Sequence, residues 1–168
     1  MIFGHPGQIA IEIESSQANA GKPREGNIRI WIGEKEIGDY TSPEFLTPSI
    51  LFWKRWSNAV RRTPDDGIRT ASPEEIIELA HRACCDVRST PFFGLTEREV
   101  WDLVFVPRCP PFDKWFGIAY QSGVGDDELL VWIHRNGHNN VHCFSASKGA
   151  LQTAILEFLR VCDPLAQS

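Results

Sequence analysis

The sequence lacks the segments that would carry a protein into or across a membrane. Its longest apolar runs, at 129–133 and 103–106, fall far short of the ~20 residues that a membrane-spanning helix needs. The first six residues, MIFGHP, have neither the basic segment nor the long apolar stretch of a signal peptide. We therefore expect a cytoplasmic protein that does not insert into a membrane.

A disulfide framework is also missing. The five cysteines form an odd, scattered set that includes a vicinal pair: Cys84, Cys85, Cys109, Cys143 and Cys162. Small secreted domains held by disulfides carry even numbers of cysteines at regular spacings. In a reducing compartment we expect these side chains to act mostly as small buried hydrophobic groups.

Basic residues are in short supply. There are 17 lysines and arginines against 22 acidic residues, which gives a net charge of −5, and Arg61-Arg62 is the densest basic stretch. Proteins that bind nucleic acids need a basic footprint to displace counterions from phosphates, so we expect no nucleic-acid partner. The acidic excess favours solubility and would also suit a basic protein partner.

The remaining bulk properties are those of a globular protein. The chain has 168 residues, of which 42% are hydrophobic and 23% charged. This length is typical of one domain with one hydrophobic core. Repeats, low-complexity tracts and breaks in composition are not apparent, so we predict a single domain over residues 1–168.

The first half of the chain predicts strands followed by two helices. Apolar residues alternate at 9–14 and 27–32, and a short strand is expected at 36–40. Thr47-Pro48 then predicts the start of a helix that ends near Pro64. The sequence SPEE at 72–75 is a strong N-terminal signal for a second helix, with Cys84 on its buried face.

The second half predicts mainly strands and a last helix. Residues 96–106 are ambiguous: Thr96 and Glu99 suit a helix cap, but the alternating apolar residues favour a strand over Val100–Val106. Strands are predicted at 115–121, 128–134 and 140–144, with Asn136-Gly137 as a hairpin turn. Ser147 is expected to cap the C-terminal helix.

This order of elements predicts an α+β protein. The strands are grouped and joined by hairpins, which favours a mainly antiparallel sheet. We expect two central helices, and a C-terminal helix packed against the sheet.

One cluster of side chains suggests chemistry. Three histidines and a cysteine, which are zinc-ligand types, fall within ten residues: His134, His138, His142 and Cys143. On a hairpin with a five-residue loop, His134 and His142 would face each other, with His138 at the tip. A metal-binding protein or a metal-dependent hydrolase is therefore the alternative function. Ordinary hairpin histidines are the simpler interpretation.

Other catalytic signatures are not apparent. We find no nucleophile elbow, no phosphate-binding loop and no paired histidine–carboxylate helix. We therefore expect no enzymatic activity and no cofactor. Six tryptophans are more informative, because Trp31 and Trp132 lie on the opposite parity to the apolar rows of their strands. One or both are candidates for exposed interface anchors.

Several stretches of the sequence together form a familiar pattern. They are MIFGHP at 1–6, the strand at 9–13 and IWIGEKEIGDY at 30–40, followed by the SPEE helix, FDKW at 112–115 and the C-terminal helix. This pattern resembles immunity protein family 42 of bacteria, most sharply in the first forty residues. The resemblance implies a small cytosolic protein that binds and neutralises the toxin domain of a contact-dependent growth inhibition or other polymorphic toxin system. It implies no catalytic residues and supplies no binding residues.

The binding surface is therefore predicted from residue types. The acidic turn at the start of a strand and the tryptophan further along it are the candidates for partner contact: Asp126, Asp127, Glu128 and Trp132. Many cognate toxins of such families are basic nucleases, which would fit the acidic balance, whereas pore-forming toxins are an alternative. A housekeeping scaffold without a toxin is the third interpretation.

Overall fold

The computed structural model describes residues 1–15, 25–39, 41, 43–85, 91–121, 127–135 and 140–163. The strands are β1 Ile2–His5, β2 Ile9–Ser15, β3 Glu25–Ile32, β4 Lys35–Ile37, β5 Glu44–Phe45, β6 Trp115–Gln121, β7 Asp127–His134 and β8 Val141–Ser147. The helices are α1 Thr47–Asn58, α2 Pro73–Cys85, α3 Glu97–Leu103 and α4 Ala150–Cys162, with a 3-10 turn at Asp66–Arg69. No helix in this described part of the chain is long and apolar enough to cross a bilayer.

The chain divides into two compact units. Unit 1 combines residues 1–58, 107–114 and 149–168, and unit 2 combines residues 59–106 and 115–148. Each unit contains one antiparallel sheet and at least one helix of more than ten residues. The single domain over 1–168 stays a prediction.

Unit 1 is built on a five-stranded sheet. Its order is β1-β2-β3-β4, and β5 also pairs with β3. The alternating isoleucines of β2 lie opposite those of β3 and are all buried: Ile9, Ile11, Ile13, Ile28, Ile30 and Ile32. Helix α4 packs on β1 and β2, where Phe158 meets the rings of Phe3 and Trp53 at centroid distances of 5.7 and 5.0 Å.

Unit 2 is built on the three-stranded sheet β6-β7-β8. Helix α2 contacts all three strands, and α3 contacts β6. The extended segment after α3 lies alongside β6, and there the Phe105 N–H donates to the Gly117 carbonyl at 3.1 Å. A side chain at Gly117 would place its Cβ 2.8 Å from the Phe105 ring, which explains a glycine inside this strand.

The structure confirms the α+β class, the antiparallel pairing and the packing of the C-terminal helix against a sheet. It differs in having two sheets and a third helix before β6. The strand predicted over Val100–Val106 is wrong, because residues 97–103 are helical. The alternation of Trp101, Leu103 and Phe105 misled the prediction: the first two lie in α3, and only residues after it are extended.

A capping box decides the conformation at that position. Thr96 Oγ1 accepts the N–H of Glu99 at 3.4 Å, and the Thr96 N–H donates to the Glu99 carboxylate at 2.8 Å. Two backbone donors that a helix start leaves unsatisfied are thereby paired. Val100 and Leu103, three residues apart, are the buried face of the helix.

Two helix boundaries also differ from the prediction. Ser147 does not cap the C-terminal helix, because it is the last residue of β8 and pairs with Asp127. The N-cap is Gly149, whose φ of 78° lies in the left-handed region that glycine adopts readily. Helix α1 ends at Asn58, well before Pro64, and Val60 beyond it is 94% exposed.

Replacement of Thr96 by alanine tests the capping box. Thr96→Ala removes the side-chain acceptor of the Glu99 N–H, so the free energy of unfolding should fall by about 1 kcal/mol. Urea denaturation followed by circular dichroism measures this loss. Thr153→Ala, at an exposed position inside α4, is the control and should be neutral or slightly stabilising. Equal stability of the two variants would contradict a role for the cap.

Candidate functional site

The predicted partner-binding residues do not share one surface. Asp126 lies outside the described residues, and Asp127 is exposed at the start of β7. Glu128 and Trp132 are only 7% and 2% exposed, so the expectation of an exposed Trp132 is wrong. The reason is that β7 is the central strand of its sheet and both of its faces are covered along most of its length.

Strand alternation separates Asp127 from the other two residues. Asp127 lies on the face that also carries Ser145, whose hydroxyl donates to the Asp127 carboxylate at 3.1 Å. Glu128 and Trp132 lie on the opposite face. There the charge of Glu128 influences the pKa of Arg61. Burial lowers that pKa, and the negative charges of Glu128 and Asp102 oppose the decrease.

The described histidines of the predicted metal cluster are engaged by aromatic rings. His134 stacks on Trp115 at a centroid distance of 4.2 Å, and His142 stacks on Trp132 at 5.4 Å. His142 pairs across the sheet with Trp132 and not with His134. The predicted facing of the two histidines is therefore wrong.

The cysteine of that cluster points the other way. Cys143 follows His142 in β8, so their side chains lie on opposite faces of the sheet. Partial desolvation of the thiol beside α2, followed by the charge of Glu74, raises the pKa of Cys143 although the residue as a whole is exposed, and this disfavours the thiolate that zinc requires. Among the described residues no three metal-ligating side chains come together, and His138 lies outside those residues.

A groove of about 500 Å³ lies between α2 and the ends of β7 and β8. Its apolar surface comes from Ile77 of α2, Ile133 of β7 and Val141 of β8. Ile133 and Val141 are direct partners in the β7–β8 register, so they lie side by side on the face that α2 covers. Ring contact between His81 of α2 and Phe116 of β6, at 5.3 Å, holds the helix over this face.

Charged side chains line the groove. Glu74 and Glu78 are both exposed and lie one turn apart on α2, and Arg135 is exposed where β7 ends. Within the described part of the chain, these three side chains form no ion pair. The groove therefore offers two carboxylates and one guanidinium to a partner without the loss of a salt bridge to another described residue.

Strand β8 borders the groove and is an edge of its sheet. Among the described strands it pairs with β7 only. Its seven residues, VHCFSAS, include no lysine, arginine, acidic residue or proline. On the face that α2 partly covers, Cys143, Ser145 and Ser147 are exposed. Sequence reasoning missed this surface, because edge position depends on strand order.

Unit 1 carries a different polar cluster on the outer face of its sheet. Arg29 of β3 bridges Glu12 at 2.9 Å and Glu36 at 2.7 Å. The Trp31 Nε1–H donates to the same Glu12 oxygen at 2.7 Å, and the Arg29 guanidinium lies 4.5 Å from the centre of the Trp31 ring. These four side chains already satisfy one another, which identifies the cluster as a structural network.

The protonation of Glu12 gives a test of this network. Burial would raise the pKa of Glu12, but hydrogen bonds from Trp31 and Arg29 and the Arg29 charge outweigh it, so the pKa is lowered. A carboxyl group with a lowered pKa in the folded state stabilises the protein above its unfolded pKa. That stabilisation is lost as the pH falls through the folded value.

Glu12→Gln should therefore destabilise the protein at pH 7 by about 1 kcal/mol. The deficit relative to the unmodified protein should shrink once the pH falls well below the ordinary pKa of a glutamate side chain. Urea denaturation of both proteins at pH 7 and pH 3 measures the difference. Glu14→Gln, on the same face of β2 and exposed, is the control and should change little at either pH. A deficit that stays constant with pH would contradict the network.

Comparison with known proteins identifies the family. The model of immunity protein 42 (Imm42) matches residues 1–161. The solved structure of CdiI from Burkholderia dolosa AUO158 is similar over 100% of both chains, with a TM-score of 0.67 and 16% sequence identity, which establishes a shared fold. No curated protein sequence matches the chain. Because the family model spans nearly the whole sequence, this chain belongs to the immunity protein 42 family.

Proposed function

We propose that this protein neutralises a cognate bacterial toxin domain by binding it directly. The family match over residues 1–161 carries the proposal, because it spans both compact units. The arrangement of side chains agrees with binding: the described histidines of the cluster lie against tryptophan rings, and partial burial together with the charge of Glu74 raises the pKa of the Cys143 thiol.

We further propose that the toxin belongs to a contact-dependent growth inhibition system. The structural similarity to CdiI supports this assignment, since that protein has the same fold across its full length. In such a system the immunity protein protects the cell that makes it. It would therefore meet the toxin domain in the cytoplasm, before the toxin reaches its target.

A basic nuclease is the proposed class of toxin. The net charge of −5 supports this choice, because an acidic protein attracts a basic partner and speeds its association. A nuclease domain needs a basic surface to hold its substrate. An acidic inhibitor that covers such a surface competes directly with the nucleic acid.

The size of the protein is sufficient for such an inhibitor. A stable protein–protein interface buries about 800 Å² on each partner. The accessible surface of the chain is 9283 Å², so an interface of that size would occupy less than a tenth of it. Among the described members of the predicted binding set, Asp127 is the one that a partner can reach without movement of a buried side chain.

Binding and protection together test this function. The probe is the C-terminal domain of the large protein encoded next to this chain's gene, purified as an inactive variant for binding. We expect a one-to-one complex with a dissociation constant in the nanomolar range or below, measured by isothermal titration calorimetry. Affinity should weaken as salt is raised from 50 to 500 mM, because salt screens charge attraction.

Co-expression supplies the second half of the test. Cells that make the active toxin domain should survive only when this protein is also made. An immunity protein for an unrelated toxin serves as the control and should give no protection. Absence of both binding and protection would reject the proposed function. Protection with affinity that does not depend on salt would reject the basic partner.

A further inference from the structure

We propose that β8 and the groove beside it are the docking site for an extended, basic segment of the toxin domain, which adds to the sheet as a fourth strand. The inference rests on the proposed function, and it specifies where and how the toxin is held. We name this region the β8 surface. It comprises strand Val141–Ser147, the adjoining groove with the carboxylates Glu74 and Glu78 of α2, and Asp127 of β7.

The first argument is the condition of the strand edge. An edge strand exposes backbone N–H and C=O groups that can pair with another chain, and proteins protect such edges with charged residues, proline or bulges. Strand β8 has none of these charges or prolines, and its register with β7 runs without interruption from Asp127↔Ser147 to Ile133↔Val141. It is therefore a regular, uncharged template for one more strand.

The second argument is the shape of the adjoining groove. In an added strand, alternate side chains would point to the face that α2 partly covers. At the Val141 end they would meet the apolar groove surface of Ile77, Ile133 and Val141. Further along, they would lie over the small exposed side chains of Ser145 and Ser147, which leave room for long side chains.

The third argument is charge. Glu74 and Glu78 line the groove at one end of β8, and Asp127 lies opposite Ser147 at its other end. The two ends of the paired β7–β8 segment are six residues apart, which corresponds to about 20 Å of strand. Exposed carboxylates at both ends fit lysine or arginine side chains near both ends of a bound strand of about seven residues. At the groove end, Arg135 could pair with one acidic residue of the bound strand.

The order of these contacts gives a basic segment with an apolar residue near one end. Backbone pairing supplies affinity regardless of sequence, and the carboxylates select for positive charge. The groove selects an apolar side chain at the Val141 end of β8. Such selectivity suits a protein that must recognise one toxin domain among many.

Hydrogen exchange tests the strand addition directly. In the free protein, alternate amides of β8 bond to β7 and should be protected, whereas those between them should exchange freely. Binding of the inactive toxin domain should protect this second set, measured residue by residue by nuclear magnetic resonance. Protection factors should rise at least tenfold. A tight complex in which the outward amides of β8 still exchange freely would overturn strand addition.

Charge reversal tests the choice of partner. Glu74→Lys/Glu78→Lys should raise the dissociation constant by roughly 30- to 300-fold, because the new lysines would repel the basic segment that the carboxylates attract. Glu14→Lys/Glu34→Lys makes the same change in net charge at exposed positions of unit 1 and is the matched control. Glu78→Lys alone, in the middle of α2, keeps the test valid if the double variant does not fold.

The outcomes separate the two proposals. Failure of the unmodified protein to bind or protect rejects the proposed function and the inference with it. Normal binding by the Glu74→Lys/Glu78→Lys variant rejects the β8 surface and leaves the proposed function intact. Equal weakening by the matched control would show that only net charge matters, which also rejects the β8 surface.

Discussion

The pairing of β7 with both β6 and β8 determines what unit 2 can present to a partner. A strand with two neighbours has no free backbone edge, and its side chains alternate between the two faces of the sheet. Leu130 and Trp132 are buried on one face and Val131 on the other. Because β7 occupies the centre, Asp127 at its start is its exposed residue, whereas the neighbouring strand β8 exposes Cys143, Ser145 and Ser147.

Helix α2 has two roles in this unit. Its apolar side, with Ile77 and Ala80, is buried, and His81 meets Phe116 across β6. Its exposed carboxylates, Glu74 and Glu78, line the groove at the ends of β7 and β8. The helix therefore stabilises the unit and, with the same turns, places negative charge beside a strand edge.

An unprotected edge strand carries a cost. It invites pairing with other chains, including copies of the same protein. The net charge of −5 and the exposed carboxylates next to β8 oppose such association, because two copies would bring like charges together. A basic partner reverses that effect. The same charges can thus discourage self-association and favour the toxin.

Local patterns in the sequence predicted most of the elements, and the failures have physical causes. The isoleucine rows of β2 and β3 formed as predicted, because alternation over six residues reports one buried face. The strand predicted within residues 96–106 is wrong because a capping box at Thr96 begins a helix there. That helix has only seven residues, so its helical periodicity is less evident in the sequence than the apparent alternation of apolar residues.

The candidate surface could be predicted only in part. Asp127 was identified from its acidic turn, and it is exposed on the face of the sheet that also carries Ser145 and Ser147 of β8. Trp132 was misjudged because parity within a strand does not reveal what covers each face. The groove and the free edge of β8 depend on strand order and on where α2 lies, and neither is encoded in a local motif.

The polar cluster of unit 1 and the charged groove of unit 2 differ in what they can give to a partner. In unit 1, Arg29 is held by Glu12, Glu36 and the ring of Trp31. Use of Arg29 in an interface would require these contacts to be kept or replaced, so the net gain would be small. In unit 2, Glu74, Glu78 and Arg135 form no ion pair within the described residues, and they surround an apolar groove. New pairs formed there add to the stability of a complex without the loss of internal ones. This difference favours the β8 surface as the site where ion pairs with a basic partner strengthen binding.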